Sequence, residues 1–591
     1  MKPFHAMFPL RLALCLGLAF ALDAQAPQIL LNHLGFAPGT SKQAVLQSQR
    51  DLGRPSFNLV DQAGKSVFKG TCQATGPVDH WHTGRTWRAD FTSFEQPGTY
   101  RLQVNLKSGA TLSEPFAIRP RLLEESCVPA LLDYFRSQHA GGIIDRADRT
   151  TRFFGDRAGR VDVHGGWYDA SGDQGKYLSH LGYATYLAPQ QAPLVVWALL
   201  EAAQRCEKAG GERLPALSPR ILEEGLYGAD FLMRMQDPEG YFYVAITDAW
   251  THDPGQRFIC AFSDGKGTRS DRYRASFRDG GGLAIAALAR ASSAKGRGEF
   301  SSEQYLAAAE KGFAHLLQHN REYLSNGKET LADDYGAILA ATELCAVAHK
   351  PQYLEAAREL VGRMLRRQVK QGPWPGRWIC DETGRPFFHA VEAGLPVLAL
   401  LRYREVETHA LRREIVLKAV ENYFAYELKL TQEVANPFGY ARQVVQDLGG
   451  EPRAAFFFPH RNESGYWWQG ENARLASLAS AARWAAPLLP EPMRAALRAH
   501  ATRQLDWILG GNPFDTCMLQ GKGRHNPDYL PAWPNAQGGV CNGVTAGFEN
   551  EAEIAFLSGP QAQDPAQNWR WSEQWLPHAG WLMLALVVAG D

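Results

Sequence analysis

The stretch Gly165-Gly166-Trp167-Tyr168-Asp169-Ala170-Ser171-Gly172-Asp173-Gln174-Gly175-Lys176-Tyr177 places two carboxylates four residues apart in a glycine-rich segment flanked by aromatic rings. That composition suits neither a core helix nor a central strand. Two acids beside indole and phenol rings fit the hydrolysis of an acetal between sugars. One carboxylic acid protonates the leaving oxygen, one carboxylate activates water, and flat apolar sugar faces stack on the rings. A Ca²⁺ loop or a capped turn is the plainer reading of Asp169 and Asp173, although the spacing does not match an EF-hand.

A third acid, Glu573, stands between Trp571 and Trp575 near the C-terminus. It reads either as a first-turn charge favoured by a helix dipole or as a proton donor whose pKa is raised among the tryptophans. The cluster His460 to Arg474 holds Asn462, Tyr466, Trp467, Trp468, Glu471 and Asn472, a set suited to sugar hydroxyls, although Glu471 and Arg474 also have the spacing of a helical ion pair. The turn-rich loop from Gly510 to Tyr529 carries Asp515 and Asp528. His389 and Glu392 sit three apart at a helix start, as structural or cleft-lining groups; no further ligands lie near them in sequence to suggest a metal.

Missing motifs narrow the chemistry. The chain has no HExxH, no GxSxG and no Walker loop, and Gly280-Gly281-Gly282 lacks the lysine a phosphate cradle needs. Lysine plus arginine and aspartate plus glutamate each number 62, so no net field favours nucleic acid or an anionic membrane, and a neutral partner is expected.

The elements that must position these groups fall into two blocks. Lys2 and Arg11, the apolar run Leu12 to Leu22 and Ala24-Gln25-Ala26 read as a cleaved signal peptide over 1–26, which predicts export to the periplasm or beyond. Of nine cysteines, Cys15 lies in that run; among the others Cys517 with Cys541 is the first choice for a disulfide. Residues 27–119 read as strands: Ser56 to Val60 and Ser66 to Phe68 flank a turn, and Tyr100, Leu102 and Val104 alternate with polar residues. A small β-sandwich is expected.

From residue 120 to 591 helical periodicity dominates, with twelve amphipathic segments: 122–138, 193–207, 219–235, 279–294, 303–318, 332–348, 352–368, 389–403, 409–426, 471–486, 491–508 and 574–589. In the fifth, Leu306, Phe313, Leu316 and Leu317 form a stripe opposite Glu303, Glu310 and Lys311. Twelve such helices predict a toroid of six hairpins. The long connections 139–192, 236–275, 427–470 and 509–572 hold the aromatics, glycines and isolated acids, as functional loops do.

The segment Gly165 to Asp169, with Asp173 and Gly175-Lys176-Tyr177, resembles the paired-aspartate signature of glycoside hydrolase family 9. Leu31-Asn32-His33-Leu34-Gly35-Phe36 resembles the opening of the immunoglobulin-like module that precedes many of its catalytic domains. The resemblance implies an all-β immunoglobulin-like sandwich followed by an all-α (α/α)6 barrel. It gives Asp173 as general base, Asp169 as water-positioning group and Glu573 as general acid, with inversion across carboxyls ~6.5–9.5 Å apart. Trp167, Tyr168, Tyr177, His389, Trp571 and the residues of the two clusters named above are expected to bind substrate. No cofactor is required; a structural calcium is allowed, with no loop assigned to it.

Two departures stand out. Ser171 lengthens the usual DAGD to Asp-Ala-Ser-Gly-Asp, and Gly523-Arg524-His525-Asn526-Pro527-Asp528 replaces the usual Pro-His-x-Arg segment. They are similar to the branch of exo-β-D-glucosaminidases acting on chitosan oligosaccharides, for which Glu471, Asp515, Asp528 or Glu549 would face the cationic 2-amino group. The alternatives are a cellulase, then a sugar-binding protein without turnover, and last a structural surface protein.

Overall fold

The computed structural model describes residues 26–208, 214, 216–530 and 534–588, so the expected signal segment lies outside it except for Ala26. Ten strands come first: β1 (Gln28–Leu30), β2 (Gly35–Phe36), β3 (Gln43–Ser48), β4 (Ser56–Val60), β5 (Ser66–Thr71), β6 (Gln73–Pro77), β7 (Arg85–Asp90), β8 (Gly98–Leu106), β9 (Gly109–Leu112) and β10 (Phe116–Ile118). They form one sheet in the order β1-β3-β7-β6 and another in the order β2-β10-β8-β4-β5, with β9 on β8. Tyr100, Leu102 and Val104 of β8 are buried while Thr99, Arg101 and Gln103 are not, the period-2 alternation of a strand with one face on a core. That core includes Phe36, Phe57, Trp87 and Phe116.

Helices follow: α1 (Leu122–Ser137), α2 (Gly142–Asp148), α3 (Ala192–Lys208), α4 (Ser218–Arg234), α5 (Gly282–Ser292), α6 (Ser302–Tyr323), α7 (Leu331–Ala348), α8 (Pro351–Arg366), α9 (Leu395–Val406), α10 (Ala410–Gln432), α11 (Asn472–Ala485), α12 (Met493–Ile508), α13 (Pro565–Ser572) and α14 (Leu576–Val587). All twelve expected segments are present; α2 and α13, each two turns or so, are too short for periodicity to reveal. Helices α3, α5, α7, α9, α11 and α14 pack in that order, and α14 packs back on α3, closing a ring. Every residue of α14 is buried, as are all but one of α5. A helix apolar all round must be covered all round, which is why α5 and α14 lie inside.

Helices α4, α6, α8, α10 and α12 are one-faced and pack outside α3, α5, α7, α9 and α11; α1 covers α14. In α6 the buried face is Tyr305, Ala309, Phe313 and Leu316, whereas Leu317 is 54% exposed. One residue beyond Leu316 turns 100° around the axis, so the expected stripe was one position too wide.

Connections from an inner helix to the next outer one are short, and most of those from an outer helix to the next inner one are long. The long loops therefore gather where inner helices begin. They are not wholly irregular: β11 (Thr151–Phe153), β12 (Arg160–Val161), β13 (Lys176–Tyr177), β14 (Ala245–Thr247), β15 (Phe258–Phe262) and β16 (Arg269–Ser270) form a small sheet over the ring. The sandwich docks on the C-terminal end of α12 through Asn32, whose amide donates to Asp506 at 2.8 Å, and through His33, whose backbone N–H donates to the Leu509 carbonyl at 2.9 Å. The Cys517–Cys541 pairing is not made: all eight described cysteines are free thiols, and seven of them are buried.

Candidate active site

The aspartate loop is held from beneath. Lys176 Nζ donates to the Val163 and Gly165 carbonyls at 2.8 and 2.7 Å and pairs with Asp148 at 2.8 Å, while Arg257 grips Asp148 with two bonds of 2.6 and 2.9 Å. The backbone then doubles back, with the Asp169 N–H donating to Gly175 O and the Asp173 N–H to Ala170 O, both at 3.1 Å. A Cβ on Gly175 would stand 2.2 Å from the Tyr177 hydroxyl, so only glycine lets that ring reach Asp173.

Asp173 accepts from the Gly175 N–H at 2.6 Å, the Tyr177 hydroxyl at 3.1 Å and the Trp250 indole at 3.1 Å. Asp169 accepts from the Gln191 amide at 2.6 Å and the Trp575 indole at 2.9 Å. Glu573 lies outside the helices, on the short segment between α13 and α14, so the first-turn reading does not apply. Among the described residues its carboxyl has one weak donor, Asn542 at 3.5 Å.

This segment is laid against the aspartate loop. Ala170 bridges to Trp575, the Ser171 N–H donates to Gln574 O at 3.0 Å, and the Leu576 N–H donates to Asp169 O at 3.0 Å. The Ser171 hydroxyl accepts the Gln574 N–H and donates to Asn535 Oδ1, both at 3.1 Å, and Asn535 donates to Ser572 O at 2.9 Å.

The three carboxyls differ in charge state. Burial pushes Asp169 well above the usual carboxylate range, and the Asp173 charge adds to it. Burial, then Asp173 and Asp169, raise Glu573 well above its ordinary value. Asp173 is raised by burial too, but three donors oppose the shift. The donors on Asp173 favour negative charge there over its two neighbours, and burial beside the aspartates favours the proton on Glu573.

Two sequence profiles match the chain: glycosyl hydrolase family 9 over residues 126–532, and the cellulase N-terminal ig-like domain over 24–108. The chain belongs to glycosyl hydrolase family 9. It is 25% identical over 528 residues to a xyloglucan-specific endo-β-1,4-glucanase of Bacteroides ovatus, covering 85% of this chain and 81% of that protein. With a cellodextrinase of Butyrivibrio fibrisolvens it shares 27% identity over 240 residues, less than half of either chain (38% and 41%). A metagenome-derived family 9 endoglucanase structure superposes with a TM-score of 0.66 at 22% identity, over 95% of this chain and 98% of that one.

In this family 9 protein the expected catalytic trio converges, and Tyr177 and Tyr466 join it. Tyr177 donates to Asp173, and Tyr466 lies close enough to feel the charges of Glu573 and Asp173. Most other expected sugar contacts are structural. Trp167 is 1% exposed and its indole donates to Glu224 at 2.7 Å; Tyr168 bonds Gly141. His389 is fully buried and its Nδ1 accepts the Val391 and Glu392 N–H groups, making it a helix-entry cap. Asn462 ties its own loop to Pro459 O and Trp467 O, and Asn472 donates to Cys541 O. Trp571 is 0% exposed, Trp467 packs on Trp575, and Trp468 lies between His460 and Arg570.

Of the four acids expected to meet an amino group, two are already engaged. Glu471 is 1% exposed, paired with Arg474 and bonded by Gln443 and the Phe458 N–H. Asp515 is held by Arg524 at 2.6 Å and His33 at 3.0 Å. Asp528 and Glu549 are exposed. No group of three or more His, Cys, Asp or Glu side chains able to hold a metal occurs among the described residues, so the allowed calcium has no such donor set there.

Sequence reasoning missed Gln191, Asn542, Asp248 and Trp250. Asp248 is 0% exposed, neither of its oxygens has a hydrogen-bond partner among the described residues, and its charge raises the Asp173 pKa. Trp250 is 45% exposed and stacks on Phe262 at 5.2 Å and 12°. It and Ala249 both adopt left-handed backbone, φ 62° and 52°, a conformation costing ~1–3 kcal/mol per residue. The available signal was an indole two residues from an acid in a loop too long to be a connector.

Proposed function

We propose that the protein is a secreted, inverting β-1,4-glycoside hydrolase acting on glucan chains or their oligosaccharides, with its catalytic loops mounted on an (α/α)6 barrel. The division of donors among the three acids carries the reading: among the described residues there are three on Asp173, two on Asp169 and one weak donor on Glu573. Glu573 gives its proton to the glycosidic oxygen as the bond to the anomeric carbon breaks. Water held by Asp169 attacks that carbon from the opposite face and passes a proton to Asp173. Glu573 ends ionised and Asp173 protonated, and exchange with solvent resets both. No covalent intermediate forms, and the new hemiacetal is α.

Three observations support the remaining parts. The closed ring of six inner helices supports the barrel. The segment 1–26 supports export, and no helix among the described residues is long and apolar enough to cross a membrane. Glucan is favoured over glucosamine because Glu471 and Asp515 are already held by arginines, and because the relatives named above are a β-1,4-glucanase and a cellodextrinase.

The test is hydrolysis of cello-oligosaccharides, xyloglucan and chitosan oligosaccharides side by side, with NMR of the first-formed anomer. Release of α-anomer from a β-glucan is expected. A β-anomer would overturn inversion, and turnover of chitosan oligosaccharides alone would restore the glucosaminidase reading.

A further inference from the structure

Where the sandwich meets the helical domain there is a cavity of about 430 Å³ lined by none of the catalytic residues. Arg88 of β7 and Thr75 face it from the sandwich; Asn436, Gly439, His500 and Arg503 face it from the helical side. Gly439 (φ 65°) makes room for Arg503: a Cβ there would stand 2.3 Å from the arginine Cδ.

Among the described residues, neither Arg88 nor Arg503 donates a hydrogen bond or forms an ion pair. Burial, with the repulsion of Arg88 behind it, lowers Arg503 to about 10. Two acids act on Arg503 without a direct bond to it: Asp506, which accepts from Asn32 at 2.8 Å and is pushed up to about 7 by burial, and Asp90, which accepts from Gln43 at 2.7 Å and also acts on Arg88. The two guanidinium groups repel each other across the crevice, neither is paired with a carboxylate among the described residues, and together they offer the forked donors that carboxylate, sulfate and phosphate match. The crevice has room for a charged monosaccharide.

We propose that this interdomain cavity binds a small oxyanion-bearing ligand between Arg88 and Arg503, and that the ligand clamps the sandwich to the helical domain.

Calorimetric titration and thermal melts of the full chain at fixed ionic strength, with phosphate, sulfate, glucuronate and a chloride control, test it. Saturable binding of at least one oxyanion is expected, with a Tm rise of roughly 1–3 °C at a hundredfold excess over Kd. Arg503→Gln and Arg88→Gln should each weaken binding tenfold or more. Without ligand, β-glucan hydrolysis should be unchanged in both variants. Tighter binding of glucuronate identifies an acidic sugar; tighter binding of phosphate or sulfate identifies an inorganic ion. No saturable binding, or binding as tight in both variants as in the native chain, overturns the proposal.

Discussion

The hydroxyl of Ser171 accepts the backbone N–H of Gln574 at 3.1 Å across 403 residues of sequence. Ser171 thus helps to fasten the aspartate loop to the segment bearing Glu573. In the proposed mechanism the span between base and acid depends on that fastening.

Replacing Ser171 should misplace the acid without disturbing sugar binding. Ser171→Ala removes both hydrogen bonds of the hydroxyl; losing the one to the Gln574 N–H costs ~1 kcal/mol and should lower kcat roughly fivefold with KM nearly constant. Steady-state kinetics on cello-oligosaccharides checks this. A change confined to KM would mean that Ser171 contacts sugar instead.

Glu573→Gln and Asp173→Asn should separate the two proton transfers. Each should cost ~10²–10⁴ in kcat on cello-oligosaccharides. An aryl glycoside whose leaving group needs no proton should recover most of its turnover in Glu573→Gln and none in Asp173→Asn. Equal recovery in both would reverse the roles assigned here.

The acidic limb of the pH–rate profile should follow Asp173. The Trp250 N–H stabilises its ionised form and the Asp248 charge opposes it. Trp250→Phe should therefore move that limb to higher pH, and Asp248→Asn should move it lower. Initial rates at saturating substrate from pH 4 to 8 measure both; movement in the same direction would contradict the electrostatics.

Stability should fall as the same site ionises. Burial holds Glu573 well above its ordinary pKa. Between that ordinary value and the folded one, the folded chain keeps a proton that the unfolded chain has released, so stability declines as pH rises through the window. Glu573→Gln should raise Tm by roughly 1–3 °C at pH 7 and by less at pH 4. A larger gain at pH 4 would show that the carboxyl is ionised when folded.

Much of this was legible in the sequence. The twelve helices follow from periodicity because an apolar stripe must be covered, whereas residue types beside aromatics only marked the three acids as candidates and the family resemblance gave them roles. What stayed hidden depends on partners distant in the chain. Trp167, Asn462 and Glu471 have the chemistry of sugar ligands, and only the fold shows that Glu224, a loop carbonyl and Arg474 have taken them. Conversely, Gln191 and Asn542 carry no local signal, since their value lies wholly in reaching Asp169 and Glu573.

The left-handed pair Ala249-Trp250 changes what substrate encounter involves. The indole is fixed in place by Asp173, Phe262 and its own backbone before any sugar arrives. Recognition at this ring is then a matter of docking onto a ready surface, and differences in affinity among sugars should appear in how fast they leave rather than how fast they enter.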